Sequence, residues 1–575
     1  MQTLTKAQKA RIAIRTIKTI SDALALRGSY KPSGKSGQTL ADGLKMLSPE
    51  IYGSMNDPRI IELKGLEYVY ERLPKGIEQC NRIILTAQEE FEDTSFEVII
   101  PPKRRRISYR VSEKEICFVI TRGLSEIYDL LTHITFLNIE AEKIYNQMKG
   151  RDGNYTREWL ELEKIVNGTK KLKGDTLDKA IWNLSILLGR KFHDTRETYD
   201  YLEKYATGNK DDHLLFRVIY GLGKRFEDEN KSRDDELLIS FTPSLRDIIG
   251  NQSYSKKWAH DIKRKLCELK LENRPMHIIS ANMHSVVNLL YGYAATQKSC
   301  DKNTEEDIYR FINKIREESK MIKEFAVKHG LYEIPDTSGT QIDCQIIDAS
   351  LMGPVTFHPK LNFSFKEIEE KKPVLIVMDY AFGTQAFEAM DELLGPFEKG
   401  DVAKKMNVKS ISVMGKAGIL PGKKGDIMLA TAHVFEGTSD NYMVDNHLKK
   451  EDFEDSVNVY EGPIVTVFGT SLQNRDLLER FQTTSWRAVG LEMEGGHYQR
   501  AISSAIIRGH ISNQVKTHYA YYASDNPLES GQTLASGGMG EEGIKPTYMI
   551  TKIILTKIFA LPRARKTVKK HENHI

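Results

Sequence analysis

The sequence predicts an α/β C-terminal domain preceded by a mainly α-helical N-terminal region. Three observations predict it. The chain has 575 residues, more than one ordinary domain holds, so two or three are expected. Between Leu124 and Gly330 apolar residues recur at helical spacing. From Val374 onward, continuous apolar runs alternate with helical segments and end at turns rich in glycine or acidic residues, the pattern of a buried, largely parallel sheet. The limits read from these patterns are 1–335 for the helical region, with a short hairpin near 96–120, then 341–562 for the α/β domain and 563–575 for a basic tail.

Composition narrows the functional classes. Hydrophobic residues make up 40% and charged residues 28%, as in soluble globular proteins. A net charge of +4 is small for this length and gives no general case for nucleic acid as a partner. Cys80, Cys117, Cys267, Cys300 and Cys344 are scattered without C-x-x-C spacing, so neither a zinc site nor a disulfide framework is suggested. The start, MQTLTKAQKARIAIRTIK, has no apolar h-region and does not read as a signal peptide. No stretch approaches the roughly 20 apolar residues of a membrane span. A cytoplasmic location with no membrane partner is expected.

The first 90 residues read as helices with a loop between them, with Ile12, Ile14, Ile17, Ile20, Leu24 and Leu26 recurring at close to helical spacing. The run Gly28–Gly37 interrupts them. It lacks the G-x-x-x-x-G-K-[ST] spacing of a phosphate loop and reads as a connector. Phe96–Ile100 and Ile116–Ile120 read as strands of a hairpin, and Lys103-Arg104-Arg105-Arg106 as its solvated turn rather than a phosphate or nucleic-acid patch. Stripes at Ile127, Leu130, Leu131 and Ile134, at Ile181, Leu184 and Leu188, and at Leu215, Val218 and Leu222 predict helices, and Asn303-Thr304-Glu305-Glu306 resembles a capping box before another. Asp336–Gly339 reads as a linker, and 341–362 as one or two short strands.

In the α/β part, Val374–Met378 predicts a central strand turning through Asp379–Thr384 into a helix over Gln385–Leu394. Backbone N–H groups at such a helix start can face an anion or a ribose hydroxyl. Ser410–Met414 predicts a strand ending at a Gly415-Lys416-Ala417-Gly418 turn. Ile427–Val434 and Val465–Gly469 predict two more, followed by a helix over Asn474–Phe481. The segment Arg487–Leu528 carries the chemistry. Ala488–Leu491 leads as a strand into Glu492-Met493-Glu494-Gly495, which opens a helix, and His518–Ala523 leads into Ser524-Asp525. Doubly wound sheets put their ligands at the carboxyl ends of such strands.

Here the chain resembles the nucleoside phosphorylase and nucleosidase superfamily, which splits the N-glycosidic bond of nucleosides. Glu492–Gly495 looks like its ribose-binding E-M-E-G, Ser524-Asp525 like its catalytic S-D pair, and Ser524-Asp525-Asn526-Pro527-Leu528 like the S-D-x-P-L of AMP nucleosidase. The turn Leu420–Ile427 is similar to the family's G-D-[IV] turn. The resemblance covers roughly the last 220 residues and none of the first 330. It implies a phosphorylase/hydrolase-like mixed sheet with flanking helices, a purine nucleoside or nucleotide as ligand, and a homo-oligomer. No metal or organic cofactor is implied.

The resemblance also implies roles. Asp525 would protonate the leaving base. Glu494 would accept the ribose hydroxyls, Met493 would pack on the sugar, and Ser524, Gly383 and Gly415 would border the substrate. Lys416 stands where the family has a small hydroxyl or a histidine, and would hold a 5′-phosphate. Read structurally, Glu494 would cap the helix Gly495–Ile507 and Asp525 a turn, Lys416 would be a surface lysine, and Glu492 a structural neighbour. Only about 30 residues separate Gly383 from Gly415, fewer than in the family, so one family strand is either supplied by 341–362 or absent. No arginine lies between Val374 and Asn474, which favours water over phosphate as nucleophile. Hydrolysis is therefore expected. Phosphorolysis and non-catalytic purine nucleotide sensing are the alternatives, beside a nucleic-acid or partner-binding role for Lys103–Arg110 and the tail.

Overall fold

Two β-sheets organise the chain. The computed structural model describes residues 4–87, 93–104, 106–168, 172–204, 213–249, 251–296, 307–361, 363, 365–399, 402–529 and 541–559. The first sheet comprises β1 (Ser29–Tyr30), β2 (Arg82–Thr86), β3 (Glu97–Ile99), β4 (Ser108–Ser112), β5 (Glu115–Val119) and β6 (Leu238–Phe241), in the order β1-β6-β2-β5-β4-β3. Its central strands run parallel, and Ile83, Leu85, Ile116 and Phe118 are buried. Helices hold most of the residues in regular structure in the N-terminal region, but they surround a sheet that the patterns did not predict. Its strands are five residues or fewer, and periodicity cannot tell so short an apolar run from a buried helical segment. The expected hairpin is also rearranged: β3 pairs with β4, and β4 with β5.

The second sheet holds β7 (Met276–Ser280), β8 (Leu331–Ile334), β9 (Cys344–Asp348), β10 (Val374–Met378), β13 (Val408–Ile419), β14 (Ile427–Phe435), β15 (Asn441–Met443), β16 (Val459–Thr466), β17 (Gly490–Glu492) and β18 (Lys516–Asp525). A separate ribbon pairs β11 (Phe397–Lys399) with β12 (Val402–Lys404). Strand β7 lies parallel between β10 and β13. It comes from upstream of the 335–341 boundary expected from the sequence, so that boundary falls inside the α/β layer. The helix Ser253–Glu268 packs on the same core through Trp258, Ile262 and Leu266. The strand β9, from 341–362, pairs antiparallel with β10.

Strands β13, β17, β16, β14 and β18 close a ring, since β18 pairs with both β13 and β14. Because β13 has ladder partners along its length, Gly415–Gly418 is not a turn: the strand runs on to Ile419. A register shift falls between Ala417 and Gly418, which face Ala523 and Asp525, leaving Ser524 as the extra residue. Such bulges redirect side chains beside functional sites.

The two sheets share buried apolar surface. One core cluster runs from Ile17, Leu66 and Phe136 of the N-terminal region to Phe382, Val465, Leu491 and Met493 of the α/β layer. An apolar junction of this kind holds two regions in a fixed relation. The proposed capping box at 303–306 and the basic tail lie outside the described residues, and the helix Ile308–Ile315 is capped by Asp307. Among the described residues, no helix is long and apolar enough to cross a membrane.

Candidate active site

The two glutamates of the E-M-E-G run do different things. Glu492 is buried at the end of β17 and accepts hydrogen bonds from Thr466 Oγ1, at 2.7 Å, and from the Glu494 and Gly495 amides. His433 Nδ1 stands 3.4 Å away. Burial opposes its ionisation, but His433, the Gly495 amide and Thr466 together outweigh burial and hold its pKa low. Glu492 therefore serves the N-terminus of the helix Gly495–Ile507. A Cβ at Gly495 would sit 2.3 Å from both His433 Cε1 and the Tyr521 hydroxyl, so only glycine lets this helix start approach the strands so closely.

Glu494, although at the N-cap position, does not cap that helix with its side chain. Its Oε1 accepts the Gly383 amide across the sheet edge at 3.0 Å. Gly383 has φ 55°, in the left-handed region that favours glycine, and a Cβ there would lie 2.3 Å from Ser125 Oγ. Met493 is buried beside the same loop. Burial first, and then the neighbouring charge of Glu492, push the Glu494 pKa up to about 7.

On the other side, the bulge carries Ser524 and Asp525. Ser524 Oγ donates to Asp525 Oδ1 at 2.5 Å and lies 3.3 Å from the Ala417 carbonyl. Asp525 is 3% exposed, and its Oδ2 is buried with no hydrogen-bond partner among the described residues. Burial raises its pKa, against Ser524 and Lys416, which lower it. Lys416 is exposed by area. Surrounding protein nevertheless lowers its pKa, helped by the charge of Arg104 and opposed by Asp525 and Glu494. Lys416 thus lies within electrostatic reach of both carboxylates. A Cβ at Gly415 would meet Tyr380 and Tyr521 at ordinary contact distance.

The residues singled out from the sequence therefore gather at one edge of the second sheet. One participant was missed there. Arg104, with φ 75°, reaches over from the loop before β4. Its Nη2 donates to Thr470 Oγ1 at 3.0 Å, and its guanidinium lies 4.7 Å from the Phe382 ring centroid. Tyr68 also reaches Thr470 Oγ1, at 3.0 Å. No arginine lies between Val374 and Asn474, and the one that reaches this edge comes from the basic run at 103–106. That run is not a solvated turn: Arg106 is buried against Glu126 and Asp129, and Lys103 pairs with Glu71.

Comparison with known proteins finds no match among curated proteins. Among solved structures the chain is similar to the 5′-methylthioadenosine/S-adenosyl homocysteine nucleosidase of Campylobacter jejuni, with 11% identity, a TM-score of 0.30 and coverage of 50% of this chain and 100% of that one. The futalosine hydrolase of Helicobacter pylori is similar at 13% identity and a TM-score of 0.30, over 50% of this chain and 99% of that one. A uridine phosphorylase of Schistosoma mansoni is similar at 10% identity and a TM-score of 0.29, over 50% and 86%. One family model covers residues 38–325 and 306–560, and by that match the chain belongs to the family of unknown function DUF6909.

Proposed function

We propose that the chain hydrolyses the N-glycosidic bond of a purine nucleoside or nucleotide. The observation that carries this is the orphaned Oδ2 of Asp525. A buried polar atom without a partner costs about 1–3 kcal/mol, and Asp525 has one at the mouth of a strand, in a setting that raises its pKa. A substrate nitrogen supplies the missing partner. In that role Asp525 gives its proton to the purine as the C1′–N bond breaks, which is worth about 10²–10⁴ in rate.

Glu494 acts at the sugar. Its carboxylate, fixed by the Gly383 amide, accepts the ribose hydroxyls, and these bonds strengthen as positive charge grows on the ring. Met493 packs on the sugar face, with Gly383, Gly415 and Ser524 bordering it. Water takes the C1′ position that the base leaves. Lys416 meets a 5′-phosphate where the substrate carries one. Release of free base from AMP, adenosine and methylthioadenosine tests this directly. Turnover of any of them without added phosphate supports hydrolysis, whereas binding without base release points to a nucleotide sensor.

A further inference from the structure

We propose that Ser125, in the N-terminal region, is a positioning residue of this site: paired with Thr384, it holds the loop whose Gly383 amide fixes Glu494. Two helix starts meet here, Leu124–Gln147 from the N-terminal region and Gln385–Leu394 from the α/β layer. The N–H groups at a helix start have no partner within the helix, and these two helices supply each other's. The Thr384 amide donates to Ser125 Oγ at 2.9 Å, and the Ser125 amide to Thr384 Oγ1 at 3.3 Å. Ser125 Oγ also donates to Thr384 Oγ1, at 3.2 Å. Thr384 occupies the N-cap position of its own helix yet makes no side-chain cap there. Its hydroxyl serves Ser125 instead, and Ser125 is buried.

Ser125 also carries the backbone of the loop. A Cβ at Gly383 would lie 2.3 Å from Ser125 Oγ and 2.6 Å from Ser125 Cβ, so the glycine rests directly on the serine. Gly383 in turn gives its amide to Glu494 Oε1 at 3.0 Å. Only Gly383 therefore separates Ser125 from the sugar-side carboxylate. Ser125 can bear this role because its own helix start is held. The Thr121 and Arg122 amides both donate to Glu126 Oε2 at 3.1 Å, and Arg106 Nε donates to Glu126 Oε1 at 3.3 Å. A second strut runs alongside. Arg122 Nη2 donates to Gln341 Oε1 at 2.7 Å. The neighbouring Thr340 carbonyl accepts Gln385 Nε2 at 2.7 Å, and Gln385 Oε1 accepts the Phe382 amide at 3.1 Å. Apolar contact would hold the two regions together, but hydrogen bonds set direction as well as distance. A group that acts on a substrate must stand within about 0.5 Å of its productive position. The N-terminal region thus supplies part of the frame for the sugar side.

The inference rests on the nucleoside reading for its last readout, and the first two need no ligand. Hydrogen exchange of the full chain, resolved to single amides, should show Gly383 exchanging about tenfold faster in Ser125→Ala, with β10 amides changed by no more than about threefold. Denaturation at about pH 5 and about pH 8 supplies a readout that lost packing alone would not move. Glu492, Arg104 and the Gly383 and Met493 amides face the Glu494 carboxyl, and Lys416 feels its charge. A loosened loop admits water to that carboxyl, so its pKa falls back toward 4.5. The alkaline fall in the folding constant should then shrink by at least about threefold in Ser125→Ala. Where adenosine releases its base, Ser125→Ala should lower kcat/KM by about tenfold in the wild-type background and by less than about twofold in Glu494→Gln, because residues that act through one another are not additive. Unchanged Gly383 exchange, an unchanged pH dependence, or equal losses of kcat/KM in both backgrounds overturns the proposal. Should Ser125→Ala not fold, Thr384→Val, which keeps the shape and removes the accepting hydroxyl, decides on the same criteria. Absence of base release from the wild-type chain counts against the proposed reaction alone and leaves exchange and pH dependence to decide.

Discussion

Replacing Glu494 by glutamine should make the protein more stable in alkaline buffer while making it a poorer catalyst. The carboxyl is raised from 4.5 in the unfolded chain to about 7 in the fold, chiefly by burial and then by Glu492. Between these values the folded state holds a proton that the unfolded state has lost. Its contribution to stability is therefore fully present below pH 4.5 and is lost as pH rises through about 7. A shift of this size corresponds to at most about 3 kcal/mol. Glutamine keeps the shape and an oxygen for the Gly383 amide, and it has no proton to lose. Chemical denaturation at about pH 5 and about pH 8 should show the wild-type chain losing up to about 3 kcal/mol that Glu494→Gln does not lose. Turnover on ribosides should fall by about ten- to thirtyfold, because a charged acceptor becomes neutral, with 2′-deoxyribosides less affected. An identical pH dependence in both proteins would refute the claim that Glu494 is held at the cost of stability.

Two further substitutions probe the frame and the charge. Lys416→Ala should raise KM for AMP by about one to two decades and leave adenosine nearly unchanged, as matched kinetics on the two substrates would record. Gly383→Ala should destabilise by about 1–3 kcal/mol for the backbone alone, and more for its clash with Ser125, whose Oγ would lie 2.3 Å from the new Cβ. A lowered denaturation midpoint, together with weaker riboside binding, is the expected result.

Much of the second sheet was legible in the sequence because its strands are long or continuously apolar. Val374–Met378 and the helices Gln385–Leu394 and Gly495–Ile507 fall where their patterns and glycines put them. The five-residue β7 was not legible. Its neighbours β10 and β13 follow it by a long stretch of chain, and only their parallel ladders identify it as a strand. The same physics hid the first sheet. At Gly415–Gly418 local preference favoured a turn, and ladder partners on β18 and β17 overrode it. The acidic residues of the site could be named from sequence because each lies at the end of a strand. The resemblance already set Glu492 apart from Glu494 as a structural neighbour, but the partners that separate them, Thr466 for one and the Gly383 amide for the other, are visible only in the fold. Arg104 was visible as a residue but not as a neighbour, because the fold alone brings it to Phe382.

The measurement that bears most directly on the proposed chemistry is base release by Asp525→Asn, with binding of the same purine ligand determined in parallel. The substitution keeps the shape of the side chain at the bulge and removes the proton that Oδ2 would give. Base release should fall to background while ligand affinity stays within about tenfold of the wild-type value. Near-normal turnover in this variant would contradict the assignment of Asp525 as the general acid.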